Sequence, residues 1–470
     1  MHAYHGHGHL EKVYENALAH RLKKQGLKAE QQHPINVYDE DGTFLGEFFA
    51  DLLVEEELVI ELKAAQSSKL EIFANRKHWY LLLKYGGANG CHPGTTEGSM
   101  IMSHMTGDSE NTVFHNTDER LRGQADVVLE ARKAAGLEGM VGGLDHVIVN
   151  VEPDHQRAAV EEWMRNSGYG LSGAFENPES RTYVLQAPRS ADILIRTRLR
   201  GANPFASVNR APKTAHLPNV RVETFVFEIT DLAAYVEIQR ARAVRFLTDT
   251  ILQTECYSFI QTAPSLYTGN SVGLIQWTGE RGQYGTEGDC SLNEDMALPN
   301  ATYRKDIGLL DHAATRVIAE HRDPAILEFM ALTNYRFEFA LYIAELNSIT
   351  NVARLPGADF AMVFTSGIHP SGSAQAVGPT EQFVQNYGPR VHHLALCAQN
   401  IDDTYAGLQK DGLQFLSGLV GSREEGLKQA FSVPSPYTLA VTEYIQRYDG
   451  FDGFFTRSNV AHLTAATAGQ

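Results

Sequence analysis

The chain has 470 residues, 43% of them hydrophobic, and its 57 acidic residues outnumber 40 basic ones to give a net charge of −17. This length exceeds the size at which a single hydrophobic core stops growing, so we expect about two to four domains. The negative charge opposes non-specific attraction to phosphate backbones, which disfavours nucleic acid and favours a small-molecule partner for most of the chain.

The N-terminal stretch MHAYHGHGHLEK lacks the apolar core of a signal peptide, and no apolar run approaches the length of a membrane span. We therefore expect a cytoplasmic protein. Apolar residues recur at helical spacing from Leu10 until Gly26, which predicts one amphipathic helix. The β-rich runs that follow, broken by an Asp-Gly pair and an acidic turn, predict a hairpin and a further strand.

Acidic residues and a lysine are spaced along these strands in a way that suggests a metal site. Asp51 precedes Glu61 by ten residues, and Glu61 and Lys63, two apart on a strand, share one face. Two carboxylates can hold a hard divalent cation while a lysine steadies the attacking water or the developing charge. That is the chemistry of phosphodiester cleavage.

Together with GHLEKVY at residues 8–14, these residues give the segment a resemblance to the GxxExxY family, which is of the PD-(D/E)XK nuclease type. The resemblance implies a small α/β segment over residues 1–84 that binds Mg(II) or Mn(II). Its site residues would be Glu11, Asp51, Glu61 and Lys63. The family pattern is lost after Ala65, so we expect a partial domain.

Residues 85–139 begin with a long stretch rich in Gly, Ser, Thr, Asn and His that has no sustained period. Such composition is typical of a connection without a packed core. We therefore expect a mobile linker here.

The remainder of the chain repeats itself. GLDHVIV at 143–149 returns as GLLDHAAT at 308–315, each followed by a helix, and a strand-and-helix pairing and then a strand pairing (SVGLIQW with TLAVTEYI) follow in the same order. The pattern predicts an N-terminal module over 140–300 and a C-terminal module over 301–470, each built from two βαβββ halves.

Alignment of the two copies singles out three positions in the second. The pairs are His146 with His312, Thr224 with His393, and Gln276 with Glu443. Two imidazoles and one carboxylate are the donor set of non-haem Fe(II) oxygenases, and they leave coordination positions open for substrate and dioxygen. The second copy therefore has the candidate metal ligands, and the first has lost them.

Adjacent histidines in the strand that contains His393 raise the question of which one faces the metal. Neighbouring strand residues point to opposite faces, so His393 is expected to share the metal face with Val391 and Ala395. His392 is expected on the other face, with the leucines that pack under helices.

Four stretches resemble the vicinal oxygen chelate superfamily and, within it, the family of 4-hydroxyphenylpyruvate dioxygenase and hydroxymandelate synthase. They are LLDH at 309–312, FVQNYGPRVHHLAL at 383–396, GLKQAF at 426–431 and TEYIQRYDGFDGFFTRSNVAHL at 442–463. The resemblance implies an α+β fold of two tandem modules with curved mixed sheets. Fe(II) would be held by His312, His393 and Glu443.

The same resemblance implies that Gln429 lies near the substrate and that Phe454 and Phe455 wall an aromatic pocket under a closing C-terminal helix. It also implies an Fe(II)-dependent dioxygenase that couples oxidative decarboxylation of an aromatic α-keto acid to hydroxylation, as in tyrosine degradation. The partners would be the aryl keto acid and O₂, and a homo-oligomer is expected. The alternatives are a ring-cleaving dioxygenase of the same superfamily or a metal-dependent nuclease in the N-terminal segment.

Overall fold

The structure is a computed structural model that describes residues 11–24, 28–38, 44–54, 58–65, 69–74, 79–86, 118–297, 299–357, 360–371, 377–451 and 453–470. These residues fall into two compact units, one within 1–112 and the other within 113–470. Among the helices of the described ranges, none has the length and apolar character needed to cross a bilayer.

The first unit is one helix and a mixed sheet. Its elements are α1 (Glu11–Lys24), β1 (Ala29–Tyr38), β2 (Phe44–Val54), β3 (Leu58–Ala65), β4 (Lys69–Ala74) and β5 (Trp79–Gly86). The strand order is β1-β2-β3-β5-β4, with β3 and β5 parallel. The sequence pattern predicts the helix and the first three strands but misses β4 and β5.

The second unit begins with α2 (Asp118–Ala134) and continues into the first module. That module comprises β6 (Val141–Asn150), α3 (Gln156–Asn166), β7 (Gly170–Glu176), β8 (Ser180–Gln186), β9 (Asp192–Arg198), β10 (Arg221–Ile229), α4 (Leu232–Ala241), β11 (Leu252–Gln253), β12 (Tyr257–Gln261), β13 (Ser271–Trp277) and β14 (Cys290–Ser291). Its strands form one sheet in the order β11-β12-β13-β10-β6-β9-β8-β7-β14.

The second module repeats this plan. It comprises β15 (Ile307–Arg316), α5 (Arg322–Leu332), β16 (Arg336–Ile343), β17 (Ser348–Arg354), β18 (Ala361–Ser366), α6 (Pro379–Tyr387), β19 (Arg390–Ala398), α7 (Ile401–Lys410), β20 (Val420–Ser422), β21 (Leu427–Phe431), β22 (Val441–Arg447) and α8 (Arg457–Ala466). The strand order is β16-β17-β18-β15-β19-β22-β21-β20. The expected α+β class with βαβββ repeats and mixed sheets is confirmed.

The two modules pack against each other through one continuous core. Val149, Leu185 and Phe227 of the first module and Phe329 and Leu394 of the second belong to it, and the rings of Phe227 and Phe329 lie 5.7 Å apart. This core covers one face of each sheet. The opposite, concave face of the second sheet is left for the candidate site.

The end of the expected linker is not a loose connection, because residues Asp118–Ala134 form α2. Leu121 and Ala125 of this helix are buried. Arg132 is 1% exposed, and its Nη1 donates hydrogen bonds to the backbone carbonyls of Met330 and Thr333. A buried guanidinium that satisfies helix-terminal carbonyls fixes α2 against α5, so this part of 85–139 belongs to the second unit.

Candidate metal centre

Three neighbouring strands at the middle of the second sheet bring the predicted ligands together. Ala395 on β19 pairs with His312 on β15 and with Glu443 on β22, so one small residue separates the histidine from the glutamate. Nε2 of His312 lies 3.1 Å from Oε2 of Glu443, and Nε2 of His393 lies 3.2 Å from the same oxygen. One ligand atom from each of the three residues falls within 4.8 Å of the others.

These donor atoms fit a metal ion better than they fit one another. His312 is fully buried, and among the described residues its Nε2 has no partner with hydrogen-bond geometry, although the Glu443 carboxylate is close. Burial lowers the pKa of His312, but the charge of Glu443 and the hydrogen bond to Asp311 raise it to about 9. Burial and the neighbouring His392 hold the pKa of His393 well below its usual range. A divalent cation in place of the His312 proton would use both rings as neutral donors.

The Asp311 carboxylate orients the His312 ring from behind. Nδ1 of His312 lies 2.7 Å from Oδ1 of Asp311, and Arg447 donates to both carboxylate oxygens of Asp311, at 2.5 and 3.0 Å. Burial raises the pKa of Asp311, but the hydrogen bonds with His312 and Arg447 outweigh it and lower the pKa well below its usual range. An ionised carboxylate on Nδ1 fixes the tautomer that leaves Nε2 free to bind a metal.

His393 has a corresponding partner in His392. Their Nδ1 atoms lie 2.8 Å apart, and Nε2 of His392 lies 2.8 Å from Oε1 of Gln470. Both histidines therefore serve one site, although alternation along a regular strand predicts that they face opposite ways.

Two β-bulges explain this arrangement. Between the pairs Leu310–Leu396 and His312–Ala395, strand β15 has one extra residue, Asp311. Between the pairs Ala314–His393 and Thr315–Val391, strand β19 has one extra residue, His392. Each bulge places the residue before a ligand histidine next to that histidine's Nδ1.

The second bulge also changes the faces of the strand. Val391 belongs to the main core together with Leu394 and Leu396, so the prediction that it shares a face with His393 is wrong. Ala395 lies in a separate cluster on the concave side, as the alternation predicts.

Gln429 holds the Glu443 carboxylate. Its Nε2 donates to Oε1 of Glu443 at 2.5 Å, and its Oε1 accepts from Nδ2 of Asn459 at 3.0 Å. Asn459 is fully buried on α8, whose N-cap is Thr456. The final helix is thus joined to the ligand shell through two amide side chains.

Phe454 and Phe455 lie against His312, with ring centroids 5.6 and 5.1 Å from the imidazole. Phe454 has a φ of 54°, in the left-handed region, and Arg447 supports it with Cζ 4.7 Å from the ring centroid. Arg447 therefore couples the Asp311 carboxylate to the aromatic wall. The adjoining cavity has a volume of about 50 Å³, and Phe455, Gln429, His393 and Glu443 line it.

The first module has no equivalent centre among its described residues. His146 also has an aspartate beside it, with Nδ1 2.6 Å from Oδ1 of Asp145. Thr224 occupies the position that His393 has in the second module. The concave face is closed by an apolar cluster that includes Val226, Tyr257 and Tyr284.

The predicted match of Gln276 with Glu443 is wrong by three residues. Thr224 pairs with Ser271 as His393 pairs with Val441, so the residue equivalent to Glu443 is Gly273. Gln276 instead accepts a hydrogen bond from the Leu232 backbone NH at the start of α4. In the second module Gln446 likewise accepts a hydrogen bond from the Ile401 backbone NH at the start of α7.

The N-terminal candidate residues are placed only in part. Glu11 is the first residue of α1, and Asp51 lies on β2. Glu61 and Lys63 lie on the neighbouring β3, where Leu52 pairs with Ile60. Oδ1 of Asp51 accepts a hydrogen bond from Gln32 at 3.4 Å.

Sequence reasoning missed Asp311, His392, Arg447 and Asn459. The repeated Asp-His pair at 145–146 and 311–312 is a signal that could have identified Asp311. The other three carry no local signal, because the bulge and the approach of α8 bring them to the site.

Comparisons with known proteins found similarity in sequence to one family and similarity in fold to several solved structures. A family model described as the PD-(D/E)XK nuclease superfamily matches residues 1–84. No curated protein matches the chain by sequence. A solved structure of a 4-hydroxymandelate synthase mutant from Streptomyces coelicolor matches with a TM-score of 0.53 and 16% identity, over 70% of this chain and 98% of that one.

Two further solved structures are more distant. A xylose isomerase-like TIM barrel/4-hydroxyphenylpyruvate dioxygenase fusion protein matches at 14% identity and a TM-score of 0.49, over 74% of this chain and 58% of that one. A Mn(II)-bound glyoxalase from Novosphingobium aromaticivorans matches at 12% identity and a TM-score of 0.39, over 66% and 83%. The likeness to the 4-hydroxymandelate synthase mutant, at 16% identity, concerns the fold and leaves the reaction open.

Proposed function

We propose that the second unit, which has the vicinal oxygen chelate fold, is an Fe(II)-dependent dioxygenase of an aromatic α-keto acid resembling 4-hydroxyphenylpyruvate. The ion would be held by His312, His393 and Glu443. The reaction would couple oxidative decarboxylation of the keto acid to hydroxylation. A cytoplasmic homo-oligomer is part of the same proposal.

The observation that carries the proposal is the donor set itself. Two imidazole nitrogens and one carboxylate oxygen meet at a buried point, and within the described part of the chain the buried Nε2 of His312 has no hydrogen-bond partner. Iron bound there would supply open coordination positions for the two oxygens of an α-keto acid and for O₂. The carboxylate stays fixed in this arrangement because Gln429 donates to it.

The protein side chains would exclude water and enclose an aromatic ring. Phe431 and Phe455 line the cavity together with Val460 and Leu463 of α8. The cavity volume of about 50 Å³ is well below the roughly 300 Å³ at the small end of ligand pockets. Substrate entry therefore requires α8 and the Phe454–Phe455 segment to move away from the sheet, and their return would close the site.

The test uses the Fe(II)-loaded protein under anaerobic conditions. Addition of 4-hydroxyphenylpyruvate should produce a visible charge-transfer band, and admission of air should then consume O₂ and release CO₂. Glu443→Ala should show neither. The absence of a band with every aryl pyruvate tried would reject this substrate class.

A ring-cleaving dioxygenase is the alternative within the same fold. It would consume O₂ with a catechol and release no CO₂. Parallel O₂ and CO₂ measurements with catechol and with 4-hydroxyphenylpyruvate therefore separate the two reactions.

The match of residues 1–84 to the PD-(D/E)XK nuclease superfamily supports a second candidate activity in the first unit. Glu11, Asp51, Glu61 and Lys63 would form its site with Mg(II) or Mn(II). A plasmid-nicking assay of the full chain with each ion tests it, and Lys63→Ala should abolish the nicking. Nicking that persists in this variant would argue against the assignment.

A further inference from the structure

Arg316 is a buried cation in the wall of the metal-site cavity. It is 5% exposed, and it lines the cavity together with His393 and Glu443. Its Nη2 donates to Oγ1 of Thr467 at 2.8 Å, but its Nη1 is buried and has no hydrogen-bond partner among the described residues. The guanidinium also lies against the Phe383 ring, with Cζ 5.0 Å from the ring centroid. Burial of a charge without an opposite charge is costly, so a guanidinium in a ligand cavity that has no carboxylate partner among the described residues indicates that an acidic ligand completes it.

Thr365 provides a second unpaired donor beside Arg316. The two residues pair directly across β15 and β18, and both line the same cavity. Oγ1 of Thr365 is buried and also has no hydrogen-bond partner among the described residues. A guanidinium nitrogen and a hydroxyl side by side match the two oxygens of a carboxylate.

The first module offers an internal comparison. His146 pairs with Asp192 as His312 pairs with Ala361, so Asn150 and Arg196 occupy the positions of Arg316 and Thr365. Glu223, a bulge residue on β10, occupies the position of His392 on β19.

In that module the charge is balanced by a protein carboxylate. Glu223 is fully buried and accepts hydrogen bonds from Arg196 at 2.8 Å, Arg198 at 2.7 Å and Asn150 at 2.6 Å. In the second module the acid is replaced by a histidine that supports the metal ligand. The carboxylate that would balance Arg316 is therefore missing from the protein at the position where the repeat would place it.

The position of Arg316 along β15 bears on which end of a substrate it would meet. Arg316 lies four residues beyond His312 on β15, which separates their Cα atoms by about 13 Å. In the proposed function the carboxylate and keto oxygens of the keto acid bind the metal, so that carboxylate is already committed and is not the partner of Arg316. The missing group is therefore a second acid at the other end of the substrate.

We propose that Arg316 Nη1 and Thr365 Oγ1 bind a second carboxylate of the substrate, so that the substrate class is an aromatic α-keto acid with an acidic group on its ring. The keto-acid end of this assignment rests on the proposed function. The acidic end rests on Arg316, Thr365 and the comparison with Glu223.

The test compares phenylpyruvate with 4-carboxyphenylpyruvate, which differ only in the ring carboxylate. Their dissociation constants are measured by calorimetry on the anaerobic Fe(II) protein. The carboxylated compound should bind about ten- to a hundredfold more tightly, the range of a hydrogen bond to a charged group. Arg316→Gln should remove this preference, and Thr365→Val should remove part of it.

Arg196→Gln is the matched control, because it removes an arginine at the Thr365-equivalent position of the module without a metal centre, and it should leave the preference intact. Equal binding of the two compounds by the unmodified protein, or a preference that survives Arg316→Gln, would overturn the proposal. The charge-transfer band reports separately on the keto-acid end. A band with both compounds but no difference in affinity would reject the second carboxylate alone.

The melting temperature of Arg316→Gln distinguishes a ligand-binding role of Arg316 from a purely structural one. Removal of an unpaired buried charge should leave the melting temperature unchanged or raise it. A lower melting temperature together with an unchanged preference would assign Arg316 to the scaffold and reject the ligand role.

Discussion

The Nδ1 atoms of His392 and His393 lie 2.8 Å apart although the two residues are consecutive on one strand. Because two bare nitrogens would repel each other, one of them carries a hydrogen. A hydrogen on Nδ1 of His393 leaves its Nε2, which faces Glu443, with a free lone pair. His392 can then donate from its own Nε2 to Gln470. The bulge thus selects the tautomer of a candidate metal ligand.

We predict that His392→Ala weakens metal binding about ten- to a hundredfold, the usual effect of removing a partner of a ligand histidine. The loss should appear in Fe(II) or Zn(II) affinity measured by competition with a chelator. Unchanged affinity would mean that the contact between the two rings does not orient His393.

Asp311→Asn should weaken metal binding by a similar factor, because the neutral amide cannot stabilise the required tautomer of His312 as the carboxylate does. Asp145→Asn is the matched control, since Asp145 makes the same contact to His146 in the first module. An equal loss in both variants would point to a general effect on folding.

Glu443→Ala should abolish metal retention, measured as metal per chain after dialysis, because it removes the donor that both imidazoles face. Gln276→Ala should retain the full metal content, since Gln276 bonds to the start of α4. Loss of metal from Gln276→Ala but not from Glu443→Ala would place the metal site in the first module.

Asn459→Ala should loosen α8, because it breaks the link from the helix to Gln429 and leaves a buried amide oxygen unpaired. Hydrogen exchange of residues 457–466 should become faster. Arg457→Ala removes only an exposed ion pair with Glu345, so its exchange should change little. Equal exchange in the two variants would show that the buried link does not hold the helix.

The interface between the modules should make stability depend on pH. Burial raises the pKa of Glu328, whose carboxylate accepts a hydrogen bond from the Ser265 hydroxyl. A raised pKa means that the folded protein keeps this proton, so the stabilisation is complete below the ordinary pKa of 4.5 and is lost as the pH rises through the folded value.

Glu328→Gln should therefore gain stability relative to the unmodified protein as the pH increases from 4 to 8, measured by urea unfolding. Glu237→Gln, on the exposed face of α4, should show no such trend. A constant difference for Glu328→Gln across this range would contradict the raised pKa.

The sequence suffices to predict the repeat because the strand patterns recur in both copies, and it suggests the three candidate ligands because two histidines and a glutamate on separate strands of the second copy suit a metal ion. It does not suffice to identify the first-module residue equivalent to Glu443. The register between β10 and β13 is set by backbone hydrogen bonds, and the true counterpart of Glu443 is Gly273, which has no side chain to align, rather than Gln276. The helical part of the expected linker is also missed. Few apolar side chains of α2 are buried, and its contact with α5 depends on Arg132.

The sequence predicts the three candidate ligands, but it does not predict the residues that hold their side chains in place. Alternation along a strand cannot reveal a bulge, so the positions of Asp311 and His392 beside their histidines follow only from the paired strands. Arg316 resembles an ordinary polar strand end in the sequence. Its significance depends on its burial and on the absence of an acid at the place that Glu223 occupies in the other module.

Gly273 also bears on how the two halves of this duplication can evolve. A Cβ atom at that position would lie 2.7 Å from Cγ2 of Val226 and 3.1 Å from Cγ2 of Thr224. A single codon change to glutamate would therefore collide with its neighbours before it could offer an oxygen to an ion. A glutamate at this position would therefore also require Val226 and Thr224 to shift or to be replaced.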